Sequence, residues 1–208
     1  MELFEAIRER RSYRSFSNKQ VEDSKIDMIL EAANMAPSPA NSQPWEFIVI
    51  SGETAREQIY ILSNSAMESG NIEVHGFSYV RPVPTEDGIG EEGKSSPGYS
   101  LEFLLNVPAI IAVVGLPRTG IRQTLRERVE DGYKYACAAA IQNMLLAAQA
   151  QGLGSLWFTL FDSHLVSQYL HIDSAKHLVA LVCIGYPDGP KPDFPGRSSL
   201  ANKVKRFD

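Results

Sequence analysis

The sequence predicts an α+β fold in a single domain spanning residues 1–208. Three observations predict it. Apolar runs of strand length recur along the chain, stretches of helical periodicity lie between them with unequal connections, and the composition suits one well-filled core. With 208 residues, 44% hydrophobic and 22% charged, the chain matches ordinary globular proteins and needs no disulfide or metal to fold.

The elements follow in order. Leu3, Phe4 and Ile7 predict a short amphipathic helix whose end runs into basic residues, with Arg8 and Arg10 suited to its dipole. Ile26, Ile29, Leu30 and Ala33 form the apolar stripe of a second helix, entered through Glu22 and Asp23 and stopped by Pro37. "WEFIVIS" (45–51) is a strand, and Thr54 with Glu57 forms a capping box for a helix carrying Ile59 and Leu62.

From about 68 to 101 periodicity gives way to Gly, Pro, Ser and acidic residues, the composition of an inserted lid. "AIIAVVG" (109–115) is a buried strand, and "GYKYACAAAIQNMLLAAQAQ" (132–151) is a long helix that Gly152 closes. Because that helix is apolar on nearly every side, a subunit interface is expected to cover part of it. "SLWFTLF" (155–161) is extended, Ser163 caps a helix with Leu165, Val166, Tyr169 and Leu170, and "HLVALVCIG" (177–185) is a further buried strand. The end, 187–208, reads as a loose or partner-wrapping tail.

Charge narrows the function. A net charge of −5 excludes a general polyanion binder, yet Arg8, Arg10, Arg11 and Arg14 crowd into seven positions. Such mutual repulsion calls for a small anion or for carboxylates nearby. Cys137 and Cys183 sit in apolar stretches without a metal-binding or redox spacing and read as buried thiols. No apolar run reaches the ~20 residues of a membrane span, and the start of the chain is charged, so a cytoplasmic protein with no membrane partner is expected.

No phosphate-binding glycine loop, nucleophile elbow or zinc-protease pair occurs, and His75, His164, His171 and His177 are too scattered to form a catalytic set. No metal site is expected. What remains is a distributed series: "RRSYR" (10–14), "APSPANSQPW" (36–45), "GLGSLWFT" (152–159), "LVALVCIGYP" (178–187) and "PGRSSL" (195–200). In this order the five segments resemble the nitroreductase family of FMN-dependent oxidoreductases, over nearly the whole chain except about 66–105 and the last residues.

The resemblance implies a mixed central β-sheet flanked by helices and an intertwined homodimer with flavin sites where the subunits meet. It also implies a role for each segment. Arg10 and Arg11 would meet the phosphate and ribityl end of FMN, Ser12 would donate its hydroxyl, Tyr13 would belong to the same segment, and Arg14 would approach the pyrimidine edge. Arg197 would complete the phosphate site, although Ser198-Ser199 follow it where many relatives have Lys-Pro. Pro37, Ser38, Pro39, Ala40 and Asn41 would reach the ring and ribityl chain from the other subunit. Trp157, Phe158 and Thr159 would run beside the reactive edge of the ring, and since Phe158 carries no hydroxyl, two-electron hydride chemistry is expected.

On this resemblance NADH or NADPH gives hydride to the flavin, and a small planar acceptor such as a nitroaromatic or quinone takes it in a ping-pong cycle. No side chain is named as a catalytic acid or base. The segment 68–101, with Phe77, Tyr79 and Tyr99, is the expected determinant of specificity. Reductive dehalogenation and flavin destruction in cobalamin-ligand synthesis are alternatives on the same fold. Outside it stand a flavin-binding or interaction protein without turnover and, more weakly, a nucleic-acid patch at Arg8 to Arg14.

Overall fold

The computed structural model describes residues 1–68, 82–85, 88–91, 100–117 and 132–207. Met1–Ile72 and Leu101–Pro192 form one compact unit; Glu73–Ser100 and Asp193–Asp208 form another. The first unit is built on a four-stranded sheet. Its strands are β1 (Trp45–Ile50), β4 (Ala109–Gly115), β5 (Gly154–Phe158) and β6 (His177–Gly185), in the order β1-β4-β6-β5. All three ladders are antiparallel, and among the described residues parallel pairing enters only at an isolated bridge between Ser12 and Ser155.

Burial explains why β4 and β6 occupy the centre. β4 is buried at every residue and β6 at all but two, so both read as unbroken apolar runs. β1 and β5 form the edges. Helices cover both faces. Helix α2 (Asp23–Asn34) and the long helix α5 (Gly132–Ala150) pack with Trp45, Ile111, Val113, Ala180, Val182 and Ile184 as one core. On the opposite face, α3 (Glu53–Glu68) and the one-turn α4 (Phe103–Asn106) join α6 (Ser163–Tyr169). Phe158 lies there, its ring edge-on to Phe103 at 5.5 Å and tilted on Phe161 at 5.8 Å.

Several boundaries agree with the sequence pattern to within a residue, while local details differ. The first helix, α1 (Leu3–Glu9), forms as expected but buries only Ala6. Leu3, Phe4 and Ile7 face outward at 60%, 73% and 49% exposure, so the apolar stripe is turned away from the core. Helix α3 starts at Glu53, ahead of the expected cap at Thr54, with the acidic side chain of Glu53 itself in the positive first turn. Helix α6 is capped by Asp162 rather than Ser163: its carboxylate accepts from the amides of His164 and Leu165, both at 2.9 Å. Gly152 has φ +74° beyond α5, the left-handed closure its position called for.

The second unit contains the antiparallel pair β2 (Pro82–Thr85) and β3 (Gly88–Glu91). These strands form despite Pro82, Pro84, Gly88 and Gly90, residues that a two-stranded pair tolerates because every strand in it is an edge. The rest of 69–99, with Phe77, Tyr79, Tyr99 and His75, lies outside the described residues.

Candidate functional site

The arginine segment begins where α1 ends. Arg10 is the C-cap, its amide donating to Ala6 O at 3.0 Å, and the chain then runs extended along the edge of β5. Tyr13 N donates to Ser155 O at 3.0 Å, which holds Ser12 beside β5. Further on, Ser17 N donates to Tyr186 O at 2.9 Å, and Asp188 N to Ser15 O at 3.2 Å. The segment is thus stitched to the sheet at both ends.

Its side chains divide accordingly. Arg10, Arg11 and Ser12 are half-buried, and Arg14 is exposed. Arg11 directs Nη1 to the carbonyls of Arg8 at 2.6 Å and Arg10 at 2.9 Å, and so joins Arg8, which lies in the last turn as expected, in closing the helix. Arg14 Nη1 reaches Ser12 O at 3.4 Å. Tyr13 and Phe16 turn inward, at 9% and 4% exposure. Nearby, Lys191 pairs with Glu9 and holds its carboxyl below the usual carboxylate range.

Two residues along β5 from Ser155 stands Trp157, 37% exposed and the only outward residue of that strand. Thr159 follows, also exposed, whereas the Phe158 ring is buried on the far face. The expected phosphate and ring segments therefore share one edge of one sheet.

The loop of Pro37, Ser38, Pro39, Ala40 and Asn41 is elsewhere. It folds as a single 3-10 turn, Pro39–Asn41, closed by Asn41 N to Ser38 O at 3.0 Å and by Gln43 N to the Ser38 hydroxyl at 2.9 Å. Ala40, Asn41 and Gln43 take φ of 52°, 52° and 44°, three of the four non-glycine residues at positive φ among those described. Strain of this kind gathers where a surface must be presented in one shape. Pro39 lies against Gly132 at the start of α5, and the loop leads into β1, where Trp45 donates to Asn34 Oδ1 at 3.1 Å.

Two rulers measure how far this loop is from the arginines. Ser12 borders β5 near Gly154, which pairs with Gly185, whereas Trp45 pairs with Gly115, and Gly115 with His177. The two places are at diagonal corners of the sheet. With nine residues in β6 and the full width of four strands to cross, they are on the order of 30 Å apart. Helix α5 starts beside the loop and ends just before Gly154; its 19 residues, at about 1.5 Å each, give nearly the same distance.

Arg197 belongs to the second unit, where its Nη1 donates to Gly196 O at 2.6 Å and its guanidinium stacks 5.1 Å from the Phe194 ring centroid. The thiols are buried as expected: desolvation pushes Cys137 up to about 12 and raises Cys183 as well. His177 has a structural role of the kind expected: its Nδ1 shares a 2.5 Å hydrogen bond with the Tyr133 hydroxyl. Among the described residues there is no group of side chains able to hold a metal, and no helix long and apolar enough to cross a membrane.

The sequence model of the nitroreductase family matches residues 7–186, from α1 to the end of the β6 region. The chain belongs to the nitroreductase family. It is 28% identical over 211 residues to nitrobenzene nitroreductase of Ectopseudomonas oleovorans, covering 90% of this chain and 87% of that one. It is 27% identical over 187 residues to 5,6-dimethylbenzimidazole synthase of Rhodospirillum rubrum, covering 88% and 81%. In fold it is similar to a crystal structure of oxidized iodotyrosine deiodinase bound to FMN and 3-iodo-L-tyrosine, with a TM-score of 0.75, 22% identity, and 100% and 99% of the two chains covered. Membership in the nitroreductase family makes the chain an oxidoreductase by kinship, with relatives of more than one chemistry.

Three residues beside the arginine segment, Phe16, Gly154 and Gly185, carry a signal in "RSF", "GLGS" and "CIGY" that the sequence reading did not use. A glycine within a strand pattern marks a close approach, here by the aromatic residues of the arginine segment.

Proposed function

We propose that the protein is an FMN-dependent oxidoreductase that takes hydride from NADH or NADPH and passes it to a planar aromatic or quinone acceptor, with each active site built from two copies of the chain. The observation that carries this reading is the diagonal separation of the arginine segment from the 37–41 loop. One flavin nucleotide is too short to touch both in one subunit. A second copy, related by a two-fold axis, brings its loop to the first copy's arginines. The outward apolar face of α1 (Leu3, Phe4, Ile7) and the exposed Met28, Met35 and Tyr135 supply surface for such a contact.

The donor set fits FMN. Arg10, Arg11 and Arg14 offer forked guanidinium donors for a phosphate dianion, and the Ser12 hydroxyl adds a neutral one. Trp157 and Thr159 continue the same edge with an aromatic surface and a polar rim for the ring. The FMN-bound state described for the similar iodotyrosine deiodinase structure supports the choice of cofactor. When bound, FMN accepts hydride and delivers it to the oxidant.

The chain's own residues bind and orient. Arg10 and Arg11 hold the phosphate end, Arg14 sets positive charge near the pyrimidine edge, and the partner's 37–41 loop closes the other side. Phe158 contributes packing on the far face and no hydroxyl to the ring, which favours transfer of electrons in pairs. Arg197 serves as a further phosphate donor, and the segments 187–208 and 68–101 act as the subunit-embracing tail and the specificity element of one domain.

The test is the visible spectrum of the purified protein before and after anaerobic NADPH and NADH. A yellow protein bleached by either donor is expected. A colourless protein that neither binds added FMN nor oxidises either donor would overturn the reading.

A further inference from the structure

We infer that Gly154 and Gly185 are positioning residues: together they form a hollow at the end of the sheet that sets the height of the arginine segment, with Tyr13 and Phe16 as its two plugs. The glycines face each other as direct partners across the β5–β6 ladder, so any side chains there would stand on the same face. Neither has a left-handed backbone, unlike Gly152, Gly189 and Gly196, so the requirement is for space and not for conformation.

The space is already taken. A Cβ on Gly154 would lie 2.9 Å from Tyr13 Cγ, 3.0 Å from its Cδ2 and 3.1 Å from its Cβ. These atoms are the root of the side chain, and no rotation about χ2 moves Cγ or Cβ away. The whole segment has to lift. A Cβ on Gly185 would meet Pro108 Cδ at 2.6 Å and Phe16 Cδ1 at 2.9 Å, and the proline ring is equally unable to yield. Tyr13 and Phe16 are both buried, while Arg14 and Ser15 between them are exposed.

The consequence is geometric. Backbone hydrogen bonds at Tyr13 and Ser17 fix the segment along the sheet, and the two ring-on-glycine contacts fix its distance from it. Arg10, Arg11, Ser12 and Arg14 are therefore displayed on a strand supported from below at two points. An added methyl at 154 lifts that strand by a few tenths of an ångström at least and displaces every donor on it. Hydrogen-bonded anion sites lose affinity at displacements of about half an ångström.

This inference rests on the FMN reading for its functional consequence, and the experiment separates the two. Gly154→Ala is compared with wild type and with Gly52→Ala, whose added Cβ meets nothing within 4 Å. FMN affinity is read by quenching of flavin fluorescence, and the segment itself by amide hydrogen exchange at Tyr13. The expected result for Gly154→Ala is a loss of FMN affinity of about tenfold or more and a similar rise in Tyr13 exchange, with Gly52→Ala at wild-type values for both. Adding Tyr13→Ala to Gly154→Ala removes the clashing ring, so the double variant is expected to lose less affinity than the two single losses combined.

Tyr13 exchange unchanged in a folded Gly154→Ala protein overturns the inference. So does unchanged FMN affinity when the wild type binds FMN. A wild type that binds no FMN refutes the functional reading alone, and the exchange measurement still decides on the hollow. Should Gly154→Ala not fold, Phe16→Leu loosens the second plug from the other side. Its ring is buried, so wild-type FMN affinity and Tyr13 exchange in that variant likewise overturn the inference.

Discussion

If one flavin site draws its arginines from one subunit and its 37–41 loop from the other, two separately crippled chains must rescue each other. The first carries Arg10→Ala and Arg14→Ala. Each lost guanidinium removes a charge-assisted hydrogen bond of roughly 1.5–3 kcal/mol, so the pair costs about 10²- to 10⁴-fold in FMN affinity. Arg14 is exposed and screened, which favours the lower end of that range. The second chain carries Asn41→Glu, an extra carboxylate at the tip of the strained turn, aimed at the partner's bound anion. Each variant alone is expected to be colourless and inactive.

Mixed under conditions that exchange subunits, half of the dimers become heterodimers, each with one doubly damaged and one intact site. About a quarter of all sites should then bind FMN and turn over. The assay is flavin content per chain and NAD(P)H oxidation after unfolding and refolding the mixture. A site contained in one subunit allows no rescue, because every chain carries a lesion. Flavin content in the mixture no higher than in the separate variants would therefore refute the diagonal argument.

Three further outcomes follow from the packing. Cys137 and Cys183 should resist a thiol reagent at neutral pH in the folded protein and react stoichiometrically once urea unfolds it, because burial raises both thiols. Tyr186 donates to the Glu22 carboxylate at 2.7 Å and holds it at about 2, against an ordinary 4.5. A lowered folded value stabilises the protein above the unfolded pKa and loses that effect as pH falls through the folded one. Tyr186→Phe should thus melt below wild type at neutral pH, and the gap should shrink between about 4.5 and about 2 when melting is followed against pH. Phe103→Ala opens a cavity beneath Phe158 and should cost about 3–5 kcal/mol in urea unfolding; a cost under about 1 kcal/mol would mean that the aromatic cluster is not packed as described.

Elements that satisfy their own hydrogen bonds and bury a periodic face were legible in the sequence. "AIIAVVG" and "HLVALVCIG" coincide with β4 and β6 because a strand buried on both faces needs an unbroken apolar run. Helix α1 shows the limit. Leu3, Phe4 and Ile7 announced an amphipathic helix, and the stripe is apolar, but it is exposed, and none of the described residues buries it. Caps failed for a related reason: Thr54 and Ser163 were suitable residues, yet each lies inside its helix, and Asp162 gained the second role by one position.

The site was legible as a set of residues and illegible as an arrangement. Nothing in "RRSYR" or "APSPANSQPW" says that the two stand at opposite corners, because that follows from strand order, with β5 and β1 as the two edges and α5 spanning the diagonal between them. The same order explains how four arginines are tolerated in seven positions. Arg8 stays on α1, Arg11 turns back to cap that helix, Tyr13 and Phe16 sink against glycines, and Arg14 stands on the extended chain beyond, so the cations are divided between a helix end and an extended segment. On the FMN reading, a phosphate dianion would answer the positive charge that this arrangement keeps along one side of the sheet.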